Sequence, residues 1–521
     1  MWRYALPLIA LALFLSLFRL GAFKVFDVDE AVFAEASREM LVSGDWITPT
    51  YNFENRYDKP IMIYWLMAAS YKAFGVNEFA ARLPSALAGF LLALSIFFFT
   101  LTSWGEFSFA RAFVKREERA LYASAAFLLS LYFAAYSHAA VTDMVLSLFI
   151  TLSLFAFYLS VSRRSRRFIY GFYAFSALAF LTKGLIGIVF PFGIAGVYML
   201  MTERFKGVKK LFSFPGLILF ILISFPWYIA EYMRNGQEFL WYFFVKHHFM
   251  RYTEVISGHK GPVYYYIPVL MLGLFPWIGF LPSGIANAFR EKDSPGLFAL
   301  IWLLFIFVFF SFSQTKLPDY ILPAIPAAAI LAASGLERHG TAGERFSNLL
   351  IGVLTLALGA GFILARKYLA KTGIEAGWAV WLSVPMFLMG IFSIFAVFRK
   401  KVFKGVLVTS MIAFLVLTLS SALPAANAYI QGTLYRYSIY ARQNLPADGI
   451  LVCYGINNPS VVFYSRHRIE SIDNKGELAP LMKENRKLLL ITKAKEVPGL
   501  KGVQGLELLN SNGNYALFEK K

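Results

Sequence analysis

The chain has 521 residues, of which 58% are hydrophobic and 16% charged, and its mean hydropathy is +0.58. The charged fraction lies well below the roughly 25% of a soluble domain, so a soluble fold is excluded and a polytopic helical membrane protein is indicated. The formal net charge of +19 does not indicate nucleic-acid binding, because the basic residues stand mainly in short loops between apolar runs, as the positive-inside rule requires. The single cysteine, Cys453, excludes an intrachain disulfide.

The first apolar run, Tyr4 to Gly21, has the length of either a signal peptide or a membrane helix. Gly21-Ala22-Phe23 is a poor cleavage site, and the charged Asp29 follows closely. We therefore predict an uncleaved first membrane helix.

A long loop, residues 23–82, follows and is predicted to hold two amphipathic helices in the membrane interface. The first has Asp29 at the N-cap and an apolar face that includes Val32 and Phe33. The second has Pro60 in its first turn, and Ile61 to Phe74 is apolar nearly all round. A loop with this length and pattern is typical of a reaction site at a membrane surface.

Hydropathy predicts about thirteen transmembrane helices. They fall at residues 4–22, 83–104, 120–137, 143–161, 168–183, 185–202, 211–230, 263–285, 297–313, 319–336, 346–365, 378–398 and 405–425. A cytoplasmic N-terminus puts the most basic loops inside, among them Arg163 to Arg167 and Arg399 to Lys404. The first long loop and the C-terminus are then predicted to lie outside.

Polar residues become frequent after Ser421, which predicts a boundary between a transmembrane domain, 1–425, and a small α/β domain on the outer face, 426–521. Gly449 to Tyr454 and Lys487 to Thr492 read as short strands. Ala479 to Asn485, between them, is predicted to be a helix.

Four cations are predicted at the outer ends of helices: Lys59, Lys183, Arg251 and Lys316. A lysine just before a helix start opposes the macrodipole at a cost of about 0.3–1 kcal/mol. A bound anion would interact favourably both with the positive helix end and with the ammonium group. Snorkelling toward lipid headgroups would explain any one of them, but the four together favour a phosphate pocket.

Two aspartates, Asp29 and Asp143, stand at helix starts, where a carboxylate serves as an N-cap or as a general base toward a hydroxyl group. We expect both to line one cavity with Lys59 and Arg251. Asp27-Val28-Asp29 also matches the D-x-D pattern by which nucleotide-sugar enzymes hold a metal. The match is short, and nucleotide sugars are made in the cytosol, so we set this interpretation aside.

Four histidines are predicted on the outer face: His138, His247, His248 and His259. With Asp58 or Glu254 they have the chemistry of a zinc site. Their spacing matches no tight motif, so a metal-free polar loop is favoured.

Several short motifs, taken together, resemble those of the bacterial lipid-linked-sugar glycosyltransferases with the C-type fold. These include the aminoarabinose transferase that modifies lipid A and, more distantly, the protein O-mannosyltransferases. The motifs are Asp29-Glu30-Ala31, Ala36 to Met40, Asp58-Lys59-Pro60, Tyr64-Trp65, Thr142-Asp143, Leu181 to Gly184, His259 to Tyr266, Phe275-Pro276-Trp277, Ser311 to Ser313, Lys316 to Pro318 and Tyr320 to Pro326. They cover most of residues 1–335 in order.

The resemblance implies transfer of a sugar from a polyprenyl phosphate donor to a lipid A-type acceptor at the outer face of the bacterial inner membrane. The expected catalytic residues are Asp29, Asp143 and Glu30. Lys59 and Arg251 are expected to bind the donor phosphate, with Lys183 and Lys316 beside them, and Tyr64, Tyr320 and His259 to contact substrate.

The aminoarabinose enzyme has a zinc-site glutamate where this chain has Asp58, one methylene shorter. Asp58, His247 and His248 are therefore candidate zinc ligands, and no other cofactor is expected. Displacing polyprenyl phosphate needs stabilisation of negative charge, which lysine and arginine supply without a metal.

Two other functions compete with this one. A protein O-glycosyltransferase shares the donor chemistry and differs in the acceptor. A transporter or flippase of an anionic lipid or sugar should place ionisable groups and broken helices at mid-membrane. The charges here lie at helix ends on one predicted face, which favours an enzyme.

Overall fold

The computed structural model describes residues 2–103, 116–208, 211–250, 260–290, 294–336, 342–371, 376–397 and 403–521. The chain forms two compact units, each assembled from separate stretches of sequence. The first contains Met1–Leu20, Tyr57–Ile63 and Leu83–Ala422, and the second contains Gly21–Arg56, Tyr64–Arg82 and Leu423–Lys521.

The chain is a multi-pass membrane protein. Within the described ranges, seven helices are long and apolar enough to cross a bilayer, or nine spans if two bent pairs are each counted as one. The seven are Glu78–Ser103, Asp143–Ser162, Phe214–Lys246, Pro318–Leu336, Gly343–Lys371, Gly377–Ala396 and Lys404–Asn444. The bent pairs are Arg116–Leu128 with Leu131–Ser137, at 58°, and Val263–Gly273 with Trp277–Arg290, at 110°.

Shorter apolar helices complete this set: Trp2–Leu17, Ile186–Thr202 and Pro295–Ser311. A further helix, Arg167–Lys183, ends in a lysine. Each of the thirteen predicted spans overlaps one of these helices or bent pairs, although thirteen membrane crossings stay a prediction.

Two neighbouring helices place a carboxylate beside an ammonium group. Asp143–Ser162 and Arg167–Lys183 pack together, with Ser153 Oγ 2.8 Å from Ser176 Oγ and 2.9 Å from the Phe172 carbonyl oxygen. Because a short turn joins them, the two helices run antiparallel. The first residue of one, Asp143, therefore lies level with the last residue of the other, Lys183.

Glycines allow another helix pair to pack at backbone distance. A Cβ added at Gly284 would lie 1.9 Å from the Leu331 carbonyl oxygen, and one at Gly335 would lie 2.1 Å from the Phe280 carbonyl oxygen. Small residues at such positions let membrane helices approach closely. This packing fixes helix Ile325–Leu336, which directly follows the 3₁₀ turn Pro318–Ala324.

The second unit contains a five-stranded mixed sheet. Its strands are β3 (Ile450–Tyr454), β4 (Ile469–Ile472), β5 (Leu488–Lys493), β6 (Leu506–Asn512) and β7 (Tyr515–Lys520), and β1 (Thr50–Tyr51) and β2 (Glu54–Asn55) form a separate hairpin in the loop. The spatial order is β4-β3-β5-β7-β6, with β3 parallel to β4 and β5, and β7 antiparallel to β5 and β6. Helices Leu423–Asn444, Pro459–Ser465, Lys475–Lys483 and Val497–Leu500 accompany the sheet.

Hydrophobic cores cover both faces of this sheet. Leu434, Tyr437 and Ala441 of helix Leu423–Asn444 pack on one face, and Leu478 and Leu500 pack on the other. All five residues of β3 are buried, as expected for a central strand with helices on both sides. Burial raises the pKa of the Cys453 thiol in β3 to about 12, and the charge of Asp27 adds to this shift.

The sequence located β3 and β5 to within one residue at each end, whereas the helix predicted at Ala479 to Asn485 begins at Lys475 and ends at Lys483. The domain boundary predicted between residues 425 and 426 falls inside helix Leu423–Asn444. The compact unit that holds the α/β fold also includes most of the first long loop.

Candidate active site

Asp29 lies at the first position of helix Asp29–Ser43 in the second unit. Its side chain is exposed, and its carboxylate makes no hydrogen bond or ion pair with any residue in the described ranges. Val28 is the N-cap and no side chain caps this end, so the prediction that Asp29 is the N-cap is wrong. Its charge still stands at the positive end of the helix dipole.

Glu30 is buried beside it and paired with Arg82. Arg82 Nε donates to Glu30 Oε1 at 2.6 Å and Arg82 Nη2 donates to Oε2 at 3.0 Å, while the Phe26 amide also donates to Oε2 at 2.8 Å. The guanidinium is fully buried. These contacts give Glu30 a structural role, and its expected catalytic role stays a prediction.

The remaining polar face of helix Asp29–Ser43 is also buried, contrary to the predicted amphipathic pattern. Glu35 and Arg38 form a two-pronged ion pair with bonds of 2.6 and 2.8 Å. Glu39 accepts hydrogen bonds from Thr50 Oγ1 at 2.6 Å and from the Phe53 amide. Each buried charge therefore has a partner, which is what allows burial all round.

Burial raises the pKa of the Glu39 carboxyl group to about 7 and outweighs the hydrogen bonds from Thr50 and Phe53, which lower it. The nearby Glu35 carboxylate acts in the same direction as burial. This group lies outside the membrane spans.

Helix Met62–Phe74 begins two residues after Pro60, which was predicted to lie in its first turn. Tyr64, an expected substrate contact, is fully buried, its ring centroid lies 5.7 Å from that of Phe33, and its hydroxyl accepts a hydrogen bond from Arg56 Nε at 3.3 Å. Trp65 donates from Nε1 to the Trp46 carbonyl oxygen at 2.8 Å.

In the first unit, Lys183 joins two carboxylates. Its Nζ lies 2.5 Å from Asp143 Oδ1 and 3.1 Å from Asp319 Oδ2. The ammonium also lies 5.3 Å from the centroid of the Tyr320 ring. Three helical elements supply this cluster: the start of Asp143–Ser162, the end of Arg167–Lys183 and the turn Pro318–Ala324.

The formal charge of this cluster, one ammonium group and two carboxylates, is −1, which disfavours the binding of a further anion such as phosphate. The sequence indicated Asp143, Lys183 and Tyr320 separately and gave Asp319 no role. Asp143 does not cap its helix; its N-cap is Thr142.

Tyr132 supports the same site and was missed by the sequence analysis. Its hydroxyl donates to the Pro318 carbonyl oxygen at 2.6 Å, next to Asp319, and its ring stacks on Tyr136 at 5.6 Å between centroids. Both tyrosines lie in helix Leu131–Ser137, which follows the bend of 58°. No sequence pattern distinguishes them from the many other aromatic residues of the chain.

Lys316, an expected phosphate ligand, is buried and donates to three carbonyl oxygens, those of Phe310 at 3.2 Å, Ser311 at 2.8 Å and Ser313 at 2.7 Å. These carbonyls close the end of helix Pro295–Ser311. An ammonium group has three N–H donors, and all are used, so Lys316 serves as a cap for that helix end.

Lys59 and Asp58 are half-buried in the first unit, and Lys59 Nζ donates to the Asp58 carbonyl oxygen at 3.2 Å. His138 is buried and shares hydrogen bonds with Ser137 Oγ and with the Ala134 and Phe18 carbonyl oxygens. These hydrogen bonds give His138 a structural role.

Other predicted site residues lie outside the described part of the chain: Arg251, Glu254 and His259, together with the side chains of His247 and His248. The zinc site that includes Asp58 therefore stays a prediction. Within the described ranges, no three His, Cys, Asp or Glu residues are grouped as metal ligands would be. The common cavity of Asp29, Asp143, Lys59 and Arg251 likewise stays a prediction.

Comparison with curated proteins finds relatives along much of the chain. The chain is 33% identical over 333 residues to the undecaprenyl phosphate-alpha-4-amino-4-deoxy-L-arabinose arabinosyl transferase of Erwinia tasmaniensis. The match covers 62% of this chain and 58% of that protein. The corresponding protein of Edwardsiella ictaluri is 34% identical over 342 residues, covering 64% and 59%. The chain thus spans about three fifths of the length of these relatives.

A family model described as dolichyl-phosphate-mannose-protein mannosyltransferase matches residues 58–229. The crystal structure of ArnT from Cupriavidus metallidurans bound to undecaprenyl phosphate superposes with a TM-score of 0.86 at 25% identity, covering all of this chain and 98% of the other. The predicted fold class, a polytopic helical membrane protein of the C-type glycosyltransferase fold with a small C-terminal α/β domain, is confirmed. The resemblance inferred from the motifs is confirmed as well.

Proposed function

We propose that this chain is an integral membrane glycosyltransferase that moves a sugar from a polyprenyl phosphate donor to a lipid A-type acceptor. The observation that carries the proposal is the match over the whole chain to a structure bound to undecaprenyl phosphate. The names of the curated relatives, which are arabinosyl transferases with this carrier, support it further.

In the proposed reaction an acceptor oxygen forms a bond to the anomeric carbon as the bond from that carbon to the donor phosphate oxygen breaks. The bonding electrons leave with the phosphate, which becomes a monoester dianion. Lys59 and Arg251 are assigned to this charge, because charge stabilisation at a leaving group is the main demand of the step. Lys183 and Lys316 are not assigned to the phosphate. Lys183 is bound by Asp143 and Asp319, and Lys316 donates to three carbonyl oxygens.

Asp29 is assigned as the catalytic carboxylate. Its exposed side chain, without partners in the described ranges, is available to take the proton of an acceptor hydroxyl. For an acceptor phosphate, already anionic, Asp29 would orient groups and no proton would move. Asp143, held by Lys183, is assigned an assisting role in orienting substrate.

The positive-inside bias of the loops supports a cytoplasmic N-terminus, with the proposed active site and the α/β domain on the periplasmic side of the inner membrane. A lipid-linked sugar donor and a lipid A-type acceptor on that side fit this orientation.

The test uses membranes that contain the full chain and a labelled undecaprenyl phosphate sugar, with lipid A as acceptor and mass spectrometry of the product. Transfer by the wild type and its loss in Asp29→Asn are expected. Absence of transfer to lipid A with any labelled pentose or hexose donor would refute the proposal.

A second candidate is a protein O-glycosyltransferase, which the family match over residues 58–229 favours. In the same assay a Ser/Thr peptide replaces lipid A as the acceptor. Labelled peptide without labelled lipid A would establish this alternative.

A further inference from the structure

The segment Phe23 to Asp27, just before the Asp29 helix, is neither helix nor strand, yet hydrogen bonds from two sides hold its backbone. On one side stands Arg82. Besides its pairing with Glu30, it donates from Nη1 to the Phe23 carbonyl oxygen at 2.8 Å and from Nη2 to the Lys24 carbonyl oxygen at 3.0 Å. Its guanidinium carbon also lies 4.0 Å from the centroid of the Phe23 ring.

On the other side stand residues more than 400 positions later in the chain, within the same compact unit. The Asn427 side-chain amide pairs with Lys24, accepting from the backbone N–H and donating to the carbonyl oxygen, both at 2.8 Å. The Val25 amide donates to Tyr464 Oη at 2.9 Å. Both of these C-terminal side chains are buried.

Asp27 makes the third connection. Its Oδ1 accepts from the Ser460 amide at 2.7 Å, and its Oδ2 accepts from Ser460 Oγ at 2.7 Å and from Asn458 Nδ2 at 2.9 Å. Ser460 is the second residue of helix Pro459–Ser465, whose own N-cap residue, Asn458, makes no capping bond. The carboxylate of the loop thus caps a helix of the α/β domain.

This arrangement explains the D-x-D pattern of the sequence. Both carboxylate oxygens of Asp27 accept bonds from the C-terminal domain, while the carboxylate of Asp29, two residues later, is exposed. Charge-assisted hydrogen bonds and the dipole of the capped helix hold the first aspartate. The carboxylate of Asp29 remains available to a substrate.

We propose that Asp27 is a positioning residue, which uses the α/β domain to fix the entry to the helix that begins with Asp29. This inference rests on the proposed catalytic role of Asp29. The α/β domain then acts as a rigid support for the start of the Asp29 helix, within the same compact unit, through Ser460, Asn458, Asn427 and Tyr464. A displacement of about 1 Å at a reacting group costs about 100-fold in rate, so loss of this support is expected to lower kcat.

The experiment measures kcat and the donor KM of the full chain in detergent with labelled undecaprenyl phosphate sugar. Asp27→Ala is expected to lower kcat by about 10- to 100-fold with the donor KM within about twofold of wild type. Ser460→Ala loses the Oγ bond and keeps the amide bond, so its kcat should fall by about 3- to 10-fold. Asp27→Asn keeps the shape and an acceptor oxygen, and should lie closer to wild type than Asp27→Ala.

The matched control is Asn474→Ala. Asn474 caps helix Lys475–Lys483 of the same domain by accepting from the Glu477 amide at 3.1 Å, and within the described residues no hydrogen bond joins it to the segment Phe23 to Asp27. Its loss should lower the melting temperature by an amount similar to that of Ser460→Ala and leave kcat unchanged. An equal loss of kcat in Asn474→Ala and Ser460→Ala would overturn the proposal, since a general loss of stability would then explain both.

Failure of this inference is distinct from failure of the proposed function. Loss of transfer in Asp29→Asn with wild-type kcat in Ser460→Ala and both Asp27 variants would overturn the positioning role alone. Undiminished transfer in Asp29→Asn would overturn the assigned catalytic carboxylate. If Asp27→Ala does not fold, Ser460→Ala and Asp27→Asn decide the question, because each removes only part of the connection.

Discussion

Asp29 and Asp143 each begin a helix, but they stand in opposite surroundings. The Asp29 side chain is exposed and without partners in the described ranges, whereas Asp143 is buried and bound to Lys183 at 2.5 Å. The neighbours of Asp29 are bound instead: Asp27 accepts a hydrogen bond from the Ser460 amide, and Glu30 pairs with Arg82. The difference separates two tasks: a carboxylate that meets a substrate must be free on a fixed support, and one that organises a site must be bound.

Replacing the free carboxylate should have the largest effect on activity. Asp29→Asn is expected to lower kcat by about 10²- to 10⁴-fold, because the amide cannot accept a proton. The melting temperature should change only slightly, since the side chain loses its favourable interaction with the helix dipole, worth about 0.3–1 kcal/mol, and no hydrogen bond or ion pair. Sugar transfer and thermal unfolding in detergent measure the two quantities, with the exposed Asp473→Asn in the α/β domain as control. A fall in the free energy of unfolding well beyond the roughly 1 kcal/mol of the charge–dipole interaction would show that this carboxylate is bound after all.

Removing the partner of the bound carboxylate should mainly affect stability. Lys183→Met leaves Asp143 and Asp319 facing each other without a cation, at an expected cost of about 3–5 kcal/mol. Adding Asp143→Asn removes one of these charges and should restore part of the melting temperature. If the single variant unfolds at the wild-type temperature, the ion pairs of Lys183 do not contribute as proposed.

Lys59 and Lys316, both first grouped as phosphate ligands, should also differ in whether their loss affects stability or donor binding. Lys316→Met loses three bonds to carbonyl groups and is expected to cost about 1–3 kcal/mol, with the donor KM within about twofold of wild type. Lys59→Met should raise the donor KM by about 10- to 100-fold, because Lys59 is assigned to the donor phosphate. A higher donor KM for Lys316→Met alone would reverse the assignment.

The smallest effect concerns pH and the buried carboxyl group of Glu39. Its pKa of about 7 in the folded chain lies above the 4.5 of an unperturbed glutamate, so the folded state favours the protonated form. This contribution to stability is fully present below pH 4.5 and is lost as the pH rises through 7. Glu39→Gln, which mimics the protonated form, should therefore gain in melting temperature relative to wild type between pH 5 and pH 8. A constant difference would show that Glu39 ionises normally.

The helices and the ionisable residues at their ends could be predicted from the sequence, because hydropathy and local charge are local properties. Asp143 and Lys183 were both singled out, but they are 40 positions apart, and only helix packing shows that they form an ion pair. Asp319 lies another 136 positions from Lys183. Lys316 shows the limit of local reasoning. It lies between the end of helix Pro295–Ser311 and the start of the turn Pro318–Ala324, and the sequence does not say which of these two ends the ammonium group binds.

The buried polar face of helix Asp29–Ser43 could not be predicted either. Glu30 and Glu39 look solvent-exposed in sequence because their partners, Arg82 and Thr50, lie elsewhere in the chain. Strands β4, β6 and β7 were also not predicted. In β6 the residues are largely exposed, so its sequence carries no sustained alternation of apolar and polar residues to detect.

The buried Cys453 has a practical consequence. It is the only cysteine of the chain, and with a thiol pKa of about 12 almost no reactive thiolate exists near neutral pH. A cysteine introduced into any exposed loop would thus be the single site for a membrane-impermeant maleimide, with no need to mutate the native residue. Labelling of intact cells would then report, loop by loop, which side of the bilayer each one faces.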